Sequence, residues 1–322
     1  MKYDIYFHDD FDGWASAALM LNFLRSRGDD IEHYIPVDYH LMPQWLKENF
    51  FASHKLTRGR RNPAIVVDFL YHPKAVFWFD HHPTTFQKKN WRNNFKQSKY
   101  FNWNPKYQSC YSFILDSLTK NFGYKPPSHL KELAPWLDVV DGANYKSVKQ
   151  WMETKEPALQ LDAFVDKGGD SSERAIWLIN ELSLYPASKV VKRPRVRKDV
   201  ASIRLALKKA VAFYKKHATL ISPRVVFTNF LSDKRGSSRF RFLAYYVYPA
   251  ALYAIRLFTK DDGLYRVSVG VNLWRKSENK IHIGKLMARF KGGGGHKDIG
   301  ATEFKSKKAA ENAVKEIIAE LK

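Results

Sequence analysis

Three short apolar runs near the start of this chain each stop on residues that favour metal ions. Tyr3–Phe7 runs into His8-Asp9-Asp10-Phe11-Asp12-Gly13. Ala64–Val67 runs into Asp68, and Ala75–Phe79 runs into Asp80-His81-His82. Continuous apolar runs this short mark strands buried on both faces, and such strands belong to parallel sheets. In an open α/β sheet, ligand-binding groups gather beyond the carboxyl ends of the strands. The three clusters are therefore expected on one edge of one sheet. A charged residue directly after a buried strand is costly unless it is paired or ligated. Along an extended segment every second side chain faces the same way, so His8, Asp10 and Asp12 should point together, with Asp9 and Phe11 turned away. Carboxylate oxygens suit hard divalent cations, and Mn²⁺ also accepts imidazole.

The rest of the first half alternates helix and strand signals. A helix is expected from Trp14 to Leu24, with Gly13 as the turn before it, and a strand over Ile31–Val37. Helices should follow at Ser109–Thr119, His129–Val140 and Ser171–Glu181. From Lys189 the chain turns basic. Pro194 should break this stretch, and Asp199 should cap the helix that runs on toward His217. Beyond it, Arg241–Tyr248, Ala250–Phe258 and Leu264–Val271 read as strands, with a turn at Asp261-Asp262-Gly263. A helix near Ile283–Arg289, the run KGGGGHKDIGA and a terminal helix from Ser306 complete the pattern. The expected divisions are residues 1–188, a basic linker or helix over 189–220, and a smaller α/β domain over 221–322.

Charge narrows the choice of partner. Lys and Arg number 54 against 32 acids, a net charge of +22. Such a field attracts polyanions, nucleic acid above all. No stretch reaches the ~18 uninterrupted apolar residues of a membrane span. The lone Cys110 excludes an internal disulfide and a thiolate metal cage of its own, and it suits a reducing compartment. With acids so early in the chain, a cytoplasmic location is expected.

HDDFDG at His8–Gly13, VVD at Val66–Asp68 and DHHPT at Asp80–Thr84 resemble the first three motifs of the DHH phosphoesterases. That superfamily includes RecJ-type exonucleases, nanoRNases and cyclic-dinucleotide phosphodiesterases. GGGGHKDIGA at Gly292–Ala301 resembles the signature of the C-terminal domain that accompanies DHH in nucleotide-acting members. The resemblance implies a parallel-sheet DHH domain, a smaller α/β C-terminal domain and an active site in the cleft between them. It implies two divalent cations, Mn²⁺ by preference with Mg²⁺ as alternative. His8 and Asp10 would hold one ion, and Asp12, His81 and a later aspartate the other, with Asp68 bridging the pair. The later aspartate is Asp138 by the RecJ-type pattern, with Asp141 as the alternative by the nanoRNase pattern. Asp80 would orient an imidazole, and His82 would reach the substrate phosphate. Gly292, Gly293, Gly294, Gly295 and His296 would bind that phosphate too. One departure stands out: Gly270 sits where many members carry an Arg, and Arg275 or Lys276 are the candidates to replace it.

From Phe86 to Tyr107 cations alternate with rings, and Lys88, Lys89, Trp91 and Arg92 begin just past the DHH cluster. Cations for phosphates and rings for bases are the chemistry of single-strand binding; rings packed in the core are the competing reading. Arg58-Gly-Arg-Arg61 precedes a metal strand and could flank the same cleft. Residues 189–209 carry nine basic residues and one acid. The expected function is metal-dependent hydrolysis of phosphodiester bonds in single-stranded nucleic acid or short oligonucleotides, as by an exonuclease or oligoribonuclease. The alternatives are a small-nucleotide phosphatase or cyclic-dinucleotide phosphodiesterase, and a catalytically inactive DHH protein that only binds nucleic acid.

Overall fold

The computed structural model describes residues 1–53, 62–168, 171–233, 236, 240, 242–260 and 262–322. The basic run ending at Arg61, and residues 241 and 261, lie outside the described residues. The chain forms two compact units, Met1–Asn144 with Thr154–Val200, and Tyr145–Glu153 with Ala201–Lys322.

The first unit holds a five-stranded, all-parallel sheet of order β2-β1-β3-β4-β5. Its strands are β1 (Lys2–His8), β2 (Asp30–Val37), β3 (Ala64–Val67), β4 (Phe77–Asp80) and β5 (Phe101–Trp103). Alternation sorts the side chains by face. Ile5, Phe7, Ile65, Val67 and Phe79 join one core, while Tyr6, Val66 and Trp78 join the other. Burying such a side chain stabilises by roughly 1.5–3 kcal/mol. Together these strands outweigh the ~1–3 kcal/mol cost of each unpartnered polar atom they leave at their ends. The first core is covered by α1 (Phe11–Arg25), whose residues up to Leu24 are all buried except Asn22. A helix apolar on nearly every side belongs inside the protein, and Ala15, Ala17 and Ala18 let its neighbours approach closely.

The second core absorbs much of the ring-rich run after the DHH cluster. Trp91 is 5 % exposed and packs edge-on to His72 and Tyr71. Phe86 and Phe95 pack against Tyr71 and Trp78. Lys88 Nζ lies 4.5 Å above the Trp91 ring and donates to the Leu46 carbonyl at 2.6 Å. Trp91 therefore stands as a core ring rather than an open platform for bases, and Lys89 and Arg92 remain exposed on the short helix Lys89–Asn94.

Of two expectations around the basic stretch, one needs correction. The stretch does break just before Pro194, between a short helix ending at Val190 and α4 (Pro194–His217), which Pro194 opens, a position where its missing N–H costs nothing. Asp199 is not a cap: it lies inside that helix, buried, receiving Arg174 Nη1 at 2.6 Å and the Lys167 ammonium. Residues 189–220 are otherwise mostly helical, ending in the first residues of a strand.

The second unit is built on a six-stranded mixed sheet of order β10-β11-β9-β8-β7-β6. Its strands are β6 (Ala218–Ser222), β7 (Val225–Asn229), β8 (Tyr253–Thr259), β9 (Tyr265–Val271), β10 (Gly294–Gly295) and β11 (Ile299–Phe304). The terminal helix α5 (Lys307–Leu321), capped by Ser306, covers one face with Ala310, Val314, Ile317 and Leu321. The strand expected over 241–248 is instead a short helix, Leu243–Val247. A short apolar run does not separate helix from strand by periodicity. Here packing decides: Leu243, Ala244 and Tyr245 are buried, and Tyr245 Oη donates to the Gly270 carbonyl at 2.6 Å. No helix among the described residues is long and apolar enough to cross a membrane.

Candidate metal centre

The parallel register places three strand ends side by side. Phe7 pairs with Val67, and Val67 with Phe79, so His8, Asp68 and Asp80 follow one another along the carboxyl edge. The first cluster is built differently from its expected form. β1 stops at His8, Asp10 caps α1 by accepting from Gly13 N at 2.9 Å, and Asp12 lies in the first helical turn. Helix geometry, not strand alternation, therefore aligns Asp10 and Asp12. Asp9 does turn away, accepting from Trp14 Nε1 at 3.0 Å. Gly13 is inside the helix rather than before it. A Cβ there would lie 2.1 Å from the His8 carbonyl oxygen, so only glycine lets the helix start against the strand end.

Asp68 is 1 % exposed and has φ +58°. This left-handed backbone is strained for most residues and most tolerable for Asp or Asn. Both its carboxylate oxygens are buried without a hydrogen-bond partner. His81 donates from Nδ1 to the Tyr107 carbonyl at 3.1 Å. A carbonyl only accepts, so Nδ1 carries the proton and the Nε2 lone pair faces the acids. Nε2 lies 3.3 Å from Asp141 Oδ2, 3.6 Å from Asp68 Oδ1 and 3.9 Å from Asp12 Oδ2. Fixing one imidazole nitrogen on a backbone carbonyl is how proteins present the other to a metal. On the far side, His8 Nδ1 lies 2.7 Å from Asp10 Oδ2 and 3.8 Å from Asp68 Oδ2. Asp80 accepts at one oxygen from the backbone of His81 and His82 and from His82 Nδ1 at 2.8 Å. The imidazole it orients is thus His82.

Potential ligand atoms fall into three overlapping groups: His8, Asp10 and Asp68; Asp12, His81 and Asp141; Asp68, His81 and His82. Asp68 and His81 each belong to two. Burial, then the charges of neighbouring carboxylates, pushes Asp12 and Asp68 well above the usual carboxylate range. For His82, burial lowers the pKa but Asp80 overrides it, raising it to about 9. Unpartnered oxygens on Asp68, an unpartnered His81 Nε2 and mutual repulsion among the acids are what divalent cations would relieve, and the mixed imidazole and carboxylate donor set fits Mn²⁺.

The structure brings Asp141, rather than Asp138, to this cluster. Both lie on α3 (Ser128–Asp141), one turn apart. Asp138 accepts from Ser109 Oγ at 2.6 Å. Ser109 caps α2 (Cys110–Phe122), whose first two N–H groups, of Cys110 and Tyr111, donate to the two Asp12 oxygens at 2.6 and 3.0 Å. Ser109 and the α2 N-terminus went unrecognised in the sequence; a Ser before a helical pattern signalled the cap, but not the carboxylate it would hold. Tyr39, in the short turn just past β2, was missed as well. Its ring stands 5.5 Å from that of His8. Asp141→Asn should weaken Mn²⁺ binding by at least ~10-fold. Asp138→Asn, which keeps a side chain able to bond Ser109, should change it by less than about 3-fold. Titration of Mn²⁺ by calorimetry separates the two, and the reverse order would make Asp138 the ligand.

The remaining candidates are carried by the second unit. Gly292–Gly295 and His296 belong to the second unit. There Gly295 pairs with Gly300 in a surface hairpin, and His296 N donates to Ile299 O at 2.8 Å. The His296 side chain is exposed. Gly284 and Gly295 approach so closely that a Cβ on Gly284 would lie 2.1 Å from the Gly295 oxygen. Part of the glycine demand is therefore packing. Arg275, a candidate replacement for the missing Arg, is held by Glu278 at 2.7 Å and by the Ala250 carbonyl.

No protein-family model matches the chain, and no curated protein matches it in sequence. Solved structures do. A pGpG-specific phosphodiesterase, PggH from Vibrio cholerae, is 18 % identical with a TM-score of 0.74, over 99 % of this chain and 98 % of that one. The chain shares the fold of that phosphodiesterase over its whole length. An exopolyphosphatase-related protein from Bacteroides fragilis shares this fold at 12 % identity and a TM-score of 0.53, covering 99 % of this chain and 92 % of that one. RecJ from Thermus thermophilus, in complex with Mn²⁺, does so at 13 % identity and a TM-score of 0.54; this chain spans 52 % of its length.

Proposed function

We propose that the chain is a cytoplasmic, divalent-metal-dependent phosphodiesterase that hydrolyses short single-stranded oligonucleotides. The observation that carries this reading is the cluster of His8, Asp10, Asp12, Asp68, His81 and Asp141, in which both Asp68 oxygens and His81 Nε2 are buried without a hydrogen-bond partner. His8, Asp10 and Asp68 would hold one cation; Asp12, His81 and Asp141 would hold a second, with Asp68 shared. Such ions, when bound, neutralise charge on the phosphate and make water nucleophilic at neutral pH. The chain's own groups do the rest. Tyr107 O and the α2 N-terminus fix His81 and Asp12, and Asp80 turns His82 toward the phosphate. Burial of Trp91, with Phe86 and Phe95 partly buried against the same core, removes part of the ring surface that a long strand would need, which favours short substrates. The full-length likeness to a pGpG-specific phosphodiesterase points the same way.

The test is hydrolysis with Mn²⁺ across a dinucleotide, a short RNA, long single-stranded DNA and a 3′,5′-bisphosphate nucleotide. The dinucleotide and short RNA should be cleaved fastest, and chelation should abolish turnover until Mn²⁺ is restored. Full turnover in excess chelator would sink the reading. Preference for the bisphosphate would make the protein a small-nucleotide phosphatase, and binding without turnover an inactive DHH protein.

A further inference from the structure

Beside the metal cluster, the first unit has a concavity that the hydrolytic reading does not use. A pocket of about 340 Å³ opens between the segment that follows the short helix at 89–94 and the outer face of α2. That size lies at the lower end of the range for small-molecule sites, ~300–1,000 Å³, enough for a single nucleotide and too small for an oligomer. Its floor is preorganised. Asn102, 8 % exposed, accepts from Gln97 Nε2 at 2.7 Å and donates to Ser117 Oγ at 3.2 Å. Phe113 supplies an apolar wall, and the Tyr107 ring packs 5.1 Å from it. Lys99 and Lys120 also line the pocket, both exposed and neither in an ion pair among the described residues. Its one acid, Asp116, is engaged by the Tyr107 hydroxyl at 2.8 Å. Amide edges, an aromatic wall and two ammonium groups match a base joined to a phosphate.

Tyr107 also belongs to the metal cluster, because its carbonyl accepts from His81 Nδ1. Asn104, another lining residue, donates from its backbone to the Asp80 carbonyl at 3.2 Å. Whatever fills the pocket therefore bears on the segment that aims His81.

We propose that this pocket is an effector site for a nucleoside 5′-monophosphate, sensed at the metal cluster through Tyr107. The choice of nucleotide rests on the hydrolytic reading above, since such monophosphates are a product class of phosphodiester cleavage. The pocket itself does not rest on that reading. Binding is therefore measured by calorimetry on the full chain in EDTA, where metal-held phosphate cannot contribute, using GMP, UMP, ribose 5-phosphate and inorganic phosphate. The mononucleotides should bind saturably and more tightly than the two smaller phosphates. Lys99→Glu with Lys120→Glu should weaken that binding at least ~10-fold, since a hydrogen bond to a charged group is worth about that factor. The same double variant should retain Mn²⁺-dependent dinucleotide hydrolysis. In the wild type, saturating mononucleotide should shift Mn²⁺ affinity several-fold, and Mn²⁺ must shift nucleotide affinity by the same factor. Equal affinity for inorganic phosphate would overturn the nucleotide assignment. Binding that survives the double variant but is lost in His296→Ala would place the ligand elsewhere, and unchanged Mn²⁺ affinity would overturn the coupling. A chain that hydrolyses nothing yet binds mononucleotide as described would refute the proposed function and leave this site standing.

Discussion

Asp68→Asn should lower turnover by ~10³-fold or more while making the metal-free protein more stable. The loss follows from position: the residue belongs to two ligand groups, and cations supply several kcal/mol of charge stabilisation to phosphate transfer, worth about 10³-fold or more. The gain follows from burial. Without cations, Asp68 is a buried carboxylate whose pKa is pushed up by desolvation and then by Asp12, Asp10, Asp141 and Asp80. Asparagine removes the charge yet tolerates the φ of +58°. Removing that charge relieves the desolvation and the repulsion together, so the metal-free variant should be the more stable form. The pH dependence carries a definite sign. A carboxyl raised in the folded state adds stability that is fully present below its unfolded value near 3.8. That contribution is lost as pH rises through the native value. Scanning calorimetry in EDTA should show wild type gaining on the variant as pH falls. A variant less stable than wild type in EDTA at neutral pH would contradict the account.

Gly13→Ala should destabilise the fold by at least ~3 kcal/mol, above the usual 1–3 kcal/mol of overpacking. The added methyl would meet three backbone atoms of His8, the nearest at 2.1 Å. None of them can rotate away, so α1 must retreat from β1 and carry Asp10 and Asp12 with it. Gly28→Ala is the control. It has φ +79° but open space around its Cβ, so only backbone strain of about 1 kcal/mol is expected. Urea unfolding in EDTA measures both. A Gly13→Ala variant within ~0.5 kcal/mol of wild type would show that the helix start is not pinned to the strand.

The parallel sheet and its acidic, histidine-bearing edge were legible in the sequence because short buried strands and charged strand ends are one-dimensional signals. His8, Asp10, Asp12, Asp68 and His81 were singled out that way, and the structure brings their polar atoms together. What decided between Asp138 and Asp141 was a contact 29 residues away in sequence, from Ser109, which no local pattern announces. The same holds for the helix start at Phe11, where a tight approach to His8 and not a turn preference demands glycine. Trp91 read equally well as a binding ring and as core; only the sheet face it covers settles its placement. The run over 241–248 failed for a simpler reason, since five apolar residues fit helix or strand alike.

The acids and imidazoles of the centre come from β1 and the start of α1, β3, β4 and the end of α3, and β1 sits between β2 and β3 although β3 follows much later in sequence. Parallel pairings of this kind close long loops and form late in folding. An unfolded chain therefore has no assembled cage to offer. Because such ions bind only the native state, they add to its stability by mass action, and contacts absent from the folding transition state act on the unfolding rate. Mn²⁺ should leave refolding of this chain at its metal-free pace and make its escape from the folded state slow, so that the ion sets the lifetime of the native protein rather than the speed of its birth.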